Sequence, residues 1–396
     1  MPNQFLSPEG DLENYFITES WLIDQWVGDT LWTWGQNISG GLGDNTTTQR
    51  NTPVTTLAGE TNWKQVSAGN RSHTTAIKTD GTLWTWGFNS YGQLGDNTTT
   101  TRSTPVTTLA GGTNWKQVAG GFNHTTAIKT DGTLWTWGRN NFGQIGDNTT
   151  TQRNTPVTTF AGGTNWKQVA CGRHHTQAVK TDGTLWTWGA NSSGQLGDNT
   201  TTQRLTPVTT FAGGTNWKQV AGGYQHTAAI KTDGTLWGWG SNNRGYLGDN
   251  TSGNTRNTPV TTFAGGTNWK QVSCGYNHTA AIKTDGTLWT WGGTFTNNGQ
   301  LGDNTATNRS TPVTTFAGGT NWKQVVCGDS HTLAIKTDGT LWTWGRNANG
   351  QLGDNTATNR STPVTTLAGG TNWKQVSGGY CTVAITSGTD PTFFIS

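Results

Sequence analysis

Histidine, the side chain most often used as a metal ligand or a general base near neutral pH, recurs at nearly equal intervals along this chain of 396 residues. Six of the seven histidines occupy one repeated position: His73, His124, His175, His226, His278 and His331. Equivalent positions of tandem copies are expected to lie on separate structural units, spread too widely to share one ion. We therefore expect these side chains to tie the adjoining turn by hydrogen bonds, which disfavours a metal site.

An aspartate and an arginine also recur together. The aspartate stands in a Gly-Asp-Asn step, at Asp44, Asp96, Asp147, Asp198, Asp249, Asp303 and Asp354, and the arginine follows it, at Arg50, Arg102, Arg153, Arg204, Arg256, Arg309 and Arg360. A calcium loop would need more oxygen donors at close spacing than Gly-Asp-Asn-Thr supplies. The aspartates are therefore predicted to form turns, and the arginines either to pair with them or to stack on indole rings.

Cysteine offers no catalytic pattern. Cys171, Cys274 and Cys327 share one repeat position, at which other copies have Ala or Gly. They are predicted to be small buried residues, with a disulfide or a metal site as the alternatives. No nucleophile, general base and orienting residue can be assembled from the recurring side chains. The sequence therefore favours a protein that is not an enzyme and needs no cofactor.

These positions recur because the chain is a tandem repeat. The Gly-Asp-Asn steps lie 51 to 54 residues apart, and the copies follow one another without a linker. One domain is expected to hold them all. The 57 glycines, abundant Thr and single Met disfavour helices, whereas Thr and the 23 tryptophans suit a pleated sheet, so the predicted fold class is all-β.

One copy of the repeat predicts four strands. Residues 115–119 and 124–129 alternate between polar and apolar side chains, and an Asp-Gly step then supplies the tight turn of a two-residue hairpin. Residues 133–137 are the third strand and, after a long polar loop, residues 155–159 are the fourth. The proline of the fourth strand fits an outer edge, where a missing N–H costs no ladder bond.

Seven such sheets are predicted to close into a seven-bladed β-propeller with four antiparallel strands per blade, because one sheet cannot bury both of its faces alone. The indoles of each third strand, such as Trp135 and Trp137, are expected to pack between blades, with sugar stacking as the alternative. The first copy lacks its first two strands and the last copy its last two, so both termini should build the seventh blade. The segment Trp21–Trp26 has the offset of a second strand and is predicted to compete with that blade or extend it.

The repeat resembles that of the regulator of chromosome condensation family, whose members are seven-bladed propellers. The shared features are the Gly-x-x-His-Thr-x-Ala-Ile step, the Asp-Gly turn, the Trp-Gly pair and the Gly-Gln-Leu-Gly-Asp step, and they recur over most of the chain. The resemblance implies uses as diverse as nucleotide exchange on a small GTPase, chromatin contact and plain scaffolding. Exchange belongs to members with specialised loops, and the modest insertion here, residues 294–298, gives no reason to expect it.

The N-terminal segment differs in charge from the rest of the chain. Residues 1–29 carry six acidic residues and no Lys or Arg, although the whole chain has a net charge of +3. An acidic arm at residues 1–28 and a mildly basic propeller at residues 29–396 are predicted. Residues 4–16 and 21–25 are similar to the start of propeller proteins from tailed phages of cyanobacteria, which implies a virion component docked to other virion proteins through the arm.

No apolar run reaches the roughly 20 residues of a membrane span, and residues 1–20 lack the pattern of a signal peptide. The chain is therefore expected to be soluble and not inserted in a membrane. The expected location is a virion assembled in the host cytoplasm, with the cytoplasm itself as the alternative.

Differences between the copies concentrate on one side of the predicted ring. The loops after the first and third strands of a blade share a side, which we call the variable face, and they carry Arg and aromatic residues, the types enriched at binding hot spots. The predicted binding residues are Arg71, Phe88, Tyr91, Phe122, Arg139, Phe142, Arg173, His174, Tyr224, Arg244, Tyr246, Tyr276, Phe295, Arg346 and Tyr380. Drift of exposed loops is the alternative explanation for this variation.

Five arginines against one extra acid, Asp329, suit this face to an anionic glycan or protein receptor. Nucleic acid is disfavoured, because the clustered Lys/Arg stripe that phosphate contacts need is missing. The sequence thus favours a non-enzymatic interaction module, read first as a phage virion structural or adhesion protein. The alternative is a cellular interaction scaffold of the regulator of chromosome condensation type, such as a GTPase regulator, or a lectin-like binder.

Overall fold

Seven four-stranded antiparallel sheets make up the computed structural model, which describes residues 28–58, 61–294 and 298–388. Six sheets follow the chain order β3 to β26, four strands at a time, and we number them blades 1 to 6. The remaining sheet, blade 7, has the order β2-β1-β28-β27. The first strand of each blade contacts the first strands of both neighbours, which closes the ring around a central axis. The predicted all-β, seven-bladed propeller is confirmed.

Every blade runs from an inner first strand to an outer fourth strand. The first strands are β3 (Trp63–Ala68), β7 (Trp115–Gly120), β11 (Trp166–Cys171), β15 (Trp217–Gly222), β19 (Trp269–Cys274), β23 (Trp322–Cys327) and β27 (Trp373–Gly378). The second strands are β4 (His73–Lys78), β8 (His124–Lys129), β12 (His175–Lys180), β16 (His226–Lys231), β20 (His278–Lys283), β24 (His331–Lys336) and β28 (Cys381–Thr386).

The outer half of each blade has the same regularity. The third strands are β5 (Leu83–Gly87), β9 (Leu134–Gly138), β13 (Leu185–Gly189), β17 (Leu236–Gly240), β21 (Leu288–Gly292), β25 (Leu341–Gly345) and β1 (Thr30–Gly35). The fourth strands are β6 (Arg102–Thr107), β10 (Arg153–Thr158), β14 (Arg204–Thr209), β18 (Arg256–Thr261), β22 (Arg309–Thr314), β26 (Arg360–Thr365) and β2 (Arg50–Thr55). Within the described residues, no helix is long and apolar enough to cross a membrane.

Blade 7 joins the two ends of the chain, as predicted. Strand β1 pairs with β28 over six residue pairs, from Thr30 with Thr386 to Gly35 with Cys381. Within the described residues this sheet has the four strands β2, β1, β28 and β27. The acidic arm and the segment Trp21–Trp26 lie outside the described residues, so the predictions about them stay predictions.

The fourth strand begins two residues earlier than predicted, at Arg153 in blade 2. Arg153 pairs with Gly138, and the register then shifts before Val157 pairs with Thr136. This bulge lets the strand begin beside the long loop. Pro156 lies in the outermost strand, so its missing N–H leaves no ladder bond unmade, as predicted.

Tryptophans fill the spaces between blades. The ring of Trp115 packs edge-on against Trp135 at 6.2 Å and Trp137 at 6.2 Å between centroids, and each core cluster combines side chains of two neighbouring blades. The indole N–H of Trp137 donates to the carbonyl of Gln93 in the preceding blade at 2.9 Å. Gly95, with φ of +71°, permits this approach, since a Cβ there would lie 2.8 Å from that nitrogen. The predicted packing of the indoles between blades is confirmed.

A belt of glutamine amides links the inner strands. Gln117 Nε2 donates to the carbonyl of Val169 in the next blade at 3.2 Å, and its Oε1 accepts from the N–H of Val169 at 3.1 Å. The glutamine of every blade makes one or both of these bonds: Gln65, Gln117, Gln168, Gln219, Gln271, Gln324 and Gln375. The backbone groups that an inner strand turns toward its neighbour are thereby satisfied.

Candidate interaction surface

The loops after the first strands surround one end of the axial cavity. This cavity, of about 170 Å³, is lined by inner strands of all seven blades and by small side chains such as Ser67, Ala119 and Cys171. Phe122 and Arg173 stand two residues beyond lining residues of their own strands. The variable face is therefore centred on the mouth of the cavity.

Eleven of the fifteen predicted binding residues form one connected set of ring and guanidinium contacts, which we call the Arg–aromatic cluster. Its members are Arg71, Phe88, Tyr91, Phe122, Arg139, Phe142, Arg173, His174, Tyr224, Tyr276 and Tyr380. They come from every blade except blade 6. The structure thus brings together side chains that are as much as 309 positions apart in the sequence.

Phe122 is the centre of the cluster. Its ring lies 4.5 Å from the guanidinium carbon of Arg173, 5.5 Å from that of Arg71, 5.7 Å from His174 and 6.5 Å from Tyr380. Tyr380 belongs to blade 7 and Phe122 to blade 2, so the contact passes over blade 1. Phe122 is only 8% exposed, so its main role is to support the neighbouring side chains from below and not to contact a partner directly.

Arg173 is held against two stacked tyrosines. The rings of Tyr224 and Tyr276 stack at 4.0 Å, and the Arg173 guanidinium carbon lies 4.2 Å from the Tyr224 centroid. The Nε of Arg173 is buried and has no hydrogen-bond acceptor among the described residues, and the same is true of Arg139 Nε. Stacking fixes these guanidinium groups in place while leaving donors unused.

A second group of the same kind adjoins Phe122. The Arg139 guanidinium carbon lies 5.0 Å from the ring of Tyr91 and 6.0 Å from that of Phe142. Tyr91 contacts Phe88 edge-on at 6.2 Å, and Arg71 lies 4.8 Å from the Phe88 ring. The contacts form a closed circuit, so each ring limits the movement of the next.

The arginines dominate the charge of the cluster. Burial, with help from Arg173 and Arg139, lowers the pKa of His174 to about 3, so this imidazole is neutral at pH 7. Burial also raises the pKa of Asp329, against the opposing effects of a Ser330 hydrogen bond and of Arg346. Because His174 is neutral, it adds no positive charge of its own, and among the described residues Asp329 is the one extra acidic side chain set against the arginines of this face.

Four predicted binding residues lie outside the cluster. Tyr246 is 7% exposed and packs on His226 at 5.5 Å, so it is a buried supporting residue, contrary to the expectation of an exposed loop position. Its place in the repeat explains this, because other copies have a buried glutamine there. Arg244 is half-buried and Arg346 is exposed, whereas Phe295 lies outside the described residues.

The recurring histidines connect blades, and the prediction that their side chains tie the adjoining turn is wrong. His73 Nε2 lies 3.2 Å from Thr125 Oγ1 of the next blade, and the turn itself is closed by the bond from Gly69 N to the His73 carbonyl. Five more His–Thr pairs repeat the link, and Cys381 takes the histidine position in blade 7. No group of three or more His, Cys, Asp or Glu side chains suited to a metal ion occurs in the described part of the chain.

The Gly-Asp-Asn aspartates form turns, as predicted, and the recurring arginines pair with them, which is one of the two alternatives that the sequence left open. Asp147 Oδ1 accepts from the N–H of Thr149 at 3.1 Å, and Oδ2 accepts from Arg153 Nε at 2.7 Å. Burial opposes ionisation of Asp147, but the bonds from Thr149 and Arg153 outweigh it and lower the pKa of the carboxyl. All four cysteines are buried and free of disulfide bonds.

Known protein families match nearly all of the described ring. Residues 26–294 match the RCC1-like domain, and residues 285–335 and 338–385 match the regulator of chromosome condensation (RCC1) repeat. The chain belongs to the RCC1 repeat family.

Individual relatives fit this assignment. The ultraviolet-B receptor UVR8 of Arabidopsis thaliana is 33% identical over 85% of this chain and 77% of its own length. The X-linked retinitis pigmentosa GTPase regulator homolog of Caenorhabditis elegans is 29% identical, but the match spans only 23% of that protein. The structure of yeast RCC1 (Prp20) bound to Kap60 superposes with a TM-score of 0.80 at 19% identity, covering 99% of this chain and 96% of that one.

The face opposite the variable face collects every lysine of the chain, and we call it the lysine face. One lysine is second in the first strand of each RCC1 repeat, and another ends the second strand in blades 1 to 6. Both positions are at the end of the blade where the Asp-Gly turns and the connections between blades lie. These lysines are Lys64, Lys78, Lys116, Lys129, Lys167, Lys180, Lys218, Lys231, Lys270, Lys283, Lys323, Lys336 and Lys374.

The two sets of lysines differ in their surroundings. The second-strand lysines lie over indole rings; Lys129 Nζ is 4.7 Å from the Trp115 centroid and 4.6 Å from that of Trp135. The first-strand lysines are exposed. Lys374 pairs with Asp29, and in the part of the chain that the structure describes no acidic group lies within ion-pair distance of the other six.

The same face carries a ring of exposed apolar residues, which the sequence analysis missed. They follow each fourth strand and are 61% to 67% exposed: Leu57, Leu109, Phe160, Phe211, Phe263, Phe316 and Leu367. The sequence did contain a signal for these exposed residues: a large apolar residue recurs between Thr-Thr and Ala-Gly, outside any alternating strand pattern. We call these seven residues the apolar ring.

Proposed function

We propose that this chain is a non-enzymatic RCC1-type interaction module that binds an acidic segment of a partner protein through the Arg–aromatic cluster. The observation that carries the proposal is the cluster itself. Three arginines, Arg71, Arg139 and Arg173, lie over aromatic rings of the variable face, and each is half-buried, so part of every guanidinium-bearing side chain faces solvent. Carboxylates match guanidinium groups in charge and in geometry.

The physical basis is the low cost of ordering this surface on binding. A free arginine loses rotamer entropy when it meets a partner, but a stacked arginine has already lost much of it. The neighbouring tyrosine and phenylalanine rings add apolar area, which favours a protein over a small inorganic anion. Arg and aromatic residues together are the types that dominate interface energies.

The comparisons favour a cellular module over the virion component that the N-terminal segment suggested. The similar proteins are receptors and regulators from plants and animals, and the yeast structures concern Prp20p with Gsp1p, histones and Kap60. Those partners are proteins, which supports the class of partner proposed here. At 19% identity the likeness establishes the fold alone, so the partner of this chain is proposed from its own side chains.

A charge-conserving exchange tests the proposal. The double variant Arg139→Lys and Arg173→Lys keeps the charge but loses the planar fork and its stacking, so binding of a labelled glutamate-rich peptide should weaken about fivefold or more in fluorescence anisotropy. The matched control is Lys116→Arg with Lys167→Arg on the lysine face, which should leave the affinity within about twofold.

Two outcomes would overturn the proposal. Equal effects of the two exchanges would mean that the peptide responds to general charge and not to the cluster. Tighter binding of a heparin fragment than of the peptide, with the same dependence on Arg139 and Arg173, would replace the acidic protein by an acidic glycan.

A further inference from the structure

The apolar ring presents its seven side chains in a regular arrangement. The backbone N–H of Phe160 donates to the carbonyl of Gly146 at 2.8 Å, and the equivalent bond occurs in all seven copies. Equivalent positions of a closed ring of similar blades lie at the same height along its axis. A flat partner can therefore touch all seven residues at once, whereas a curved or irregular partner reaches only some of them.

Simple duplication does not account for the residue types in this ring. Leu stands at three of the positions and Phe at four, so the position has changed between copies while keeping a large apolar side chain. Each of these side chains is more than half exposed, so most of its apolar surface is not buried against the described residues. Scattered exposed apolar residues are ordinary, but seven aligned on one face indicate a contact surface.

The charge on this face is of one predominant sign. Among the described residues, thirteen lysines stand against seven carboxylates, Asp29 and the six Asp-Gly aspartates, which leaves six net positive charges. The aspartates are engaged within their own turns: Asp131 Oδ1 accepts from Thr133 N at 2.9 Å and from Thr133 Oγ1 at 2.7 Å. The six exposed first-strand lysines other than Lys374, which pairs with Asp29, are thus available to an external anion.

We propose that the lysine face docks peripherally on a lipid bilayer that contains anionic lipids. The apolar ring would enter the boundary between headgroups and acyl chains, while first-strand lysines such as Lys116 and Lys167 contact anionic headgroups. A bilayer is flat, anionic at its surface and apolar just below it, which matches the three properties of this face. The inference goes beyond the proposed function and leaves the variable face free for its partner.

Other occupants of the face fit less well. A second copy placed face to face would oppose two surfaces that each carry six net positive charges among the described residues. A nucleic-acid duplex would meet the lysines, but its curved surface would reach only part of the ring and would give the Leu and Phe side chains nothing to enter.

Co-sedimentation of the full chain with vesicles tests this docking. Vesicles of phosphatidylcholine with phosphatidylserine should bind the protein, and phosphatidylcholine alone should bind it at least about tenfold more weakly. An apolar variant, Leu109→Ser, Phe160→Ser and Phe211→Ser, and a lysine variant, Lys116→Gln, Lys167→Gln and Lys218→Gln, should each lower the partition coefficient about tenfold or more. The control, Arg346→Gln, removes an exposed charge from the variable face outside the Arg–aromatic cluster and should change it less than about twofold.

Each contrary result is decisive. If the wild-type chain does not bind the anionic vesicles, or if the apolar variant binds them as well as the wild type, lipid docking is refuted. Stronger binding to a DNA duplex than to the vesicles, reduced by the lysine variant alone, would reassign the face to nucleic acid. Thermal unfolding of the variants should stay unchanged because all the altered side chains of the lysine face are exposed.

Discussion

The buried histidines make the fold sensitive to acid. Burial lowers the pKa of His73 to about 4 and that of His226 to about 4, whereas a histidine in an unfolded chain titrates near 6.5. Between these values the unfolded chain binds more protons than the folded one. The free energy of unfolding is therefore at its full value above pH 6.5 and falls as the pH drops toward 4.

Exchanging one histidine for the residue that blade 7 uses tests this linkage. The variant His73→Cys should take up about one proton fewer on unfolding, which lowers the pH slope of the free energy of unfolding by about 1.4 kcal/mol per unit below pH 6. Urea unfolding at several pH values between 7 and 4.5 measures the slope. The reverse exchange, Cys381→His, should steepen it, and identical slopes in all three proteins would show that these positions do not govern acid stability.

Some side-chain contacts could be predicted from the sequence, whereas others could not. The pairing of Asp147 with Arg153 could be predicted because both lie in one loop, six residues apart. The bond from His73 to Thr125 joins two blades, and its register follows from packing between sheets, which no local pattern encodes. Tyr246 was predicted to be a binding residue because it lies in a loop of the variable face. Its position within the repeat, where other copies have a buried glutamine, is the feature that indicates burial.

At the level of elements, the inner strands depend on their glutamines. Strand β7 has a sheet partner on one side only, and the Gln117 amide satisfies backbone groups of Val169 in the next blade. The strand pattern and the Asp-Gly turn were predictable from alternation along the chain. The bridging of inner strands by the Gln117 side chain was not predictable, because a glutamine in a strand pattern does not indicate which neighbouring strand its amide will reach.

Removing one bridge should cost more than removing an exposed neighbour. Gln117→Leu leaves the N–H and C=O of Val169 without these partners in a partly buried place, so the free energy of unfolding should fall by about 2 to 4 kcal/mol. Chemical denaturation measures it, and Lys116→Gln, one residue away and exposed, is the matched control with an expected change below about 0.5 kcal/mol. A Gln117→Leu protein as stable as this control would mean that the belt does not hold the blades.

For the whole molecule, stability depends on closing the ring at blade 7. Removing residues 372–396 deletes β27 and β28, which leaves β1 without its inner partner and exposes Trp34. The remaining blades lose closure at both sides of the gap, so the melting temperature should fall by about 10 °C or more, or the transition should lose its cooperativity. Differential scanning calorimetry measures both quantities.

A circular permutant shows whether the truncated chain is destabilised by the open ring or only by the missing residues. Gly28 and Gly388 lie in contact, since a Cβ on Gly388 would be 2.2 Å from the Gly28 nitrogen, so a short linker can join them. A chain joined there and opened at Gly111 keeps all seven blades and should retain a single cooperative transition. An equally stable truncated chain would refute the role of the composite blade.

Closure by two distant segments is, in effect, an intramolecular binding reaction. The hairpin of β27 and β28 acts as a ligand for the rest of the described ring, and the covalent chain presents it at an effective concentration that for flexible tethers is of millimolar order. A second molecule at comparable concentration could supply the same hairpin, because its β28 has the same register against β1. Crowded refolding would then yield rings that exchange their last two strands, and a free peptide of residues 372–388 would compete for the same gap.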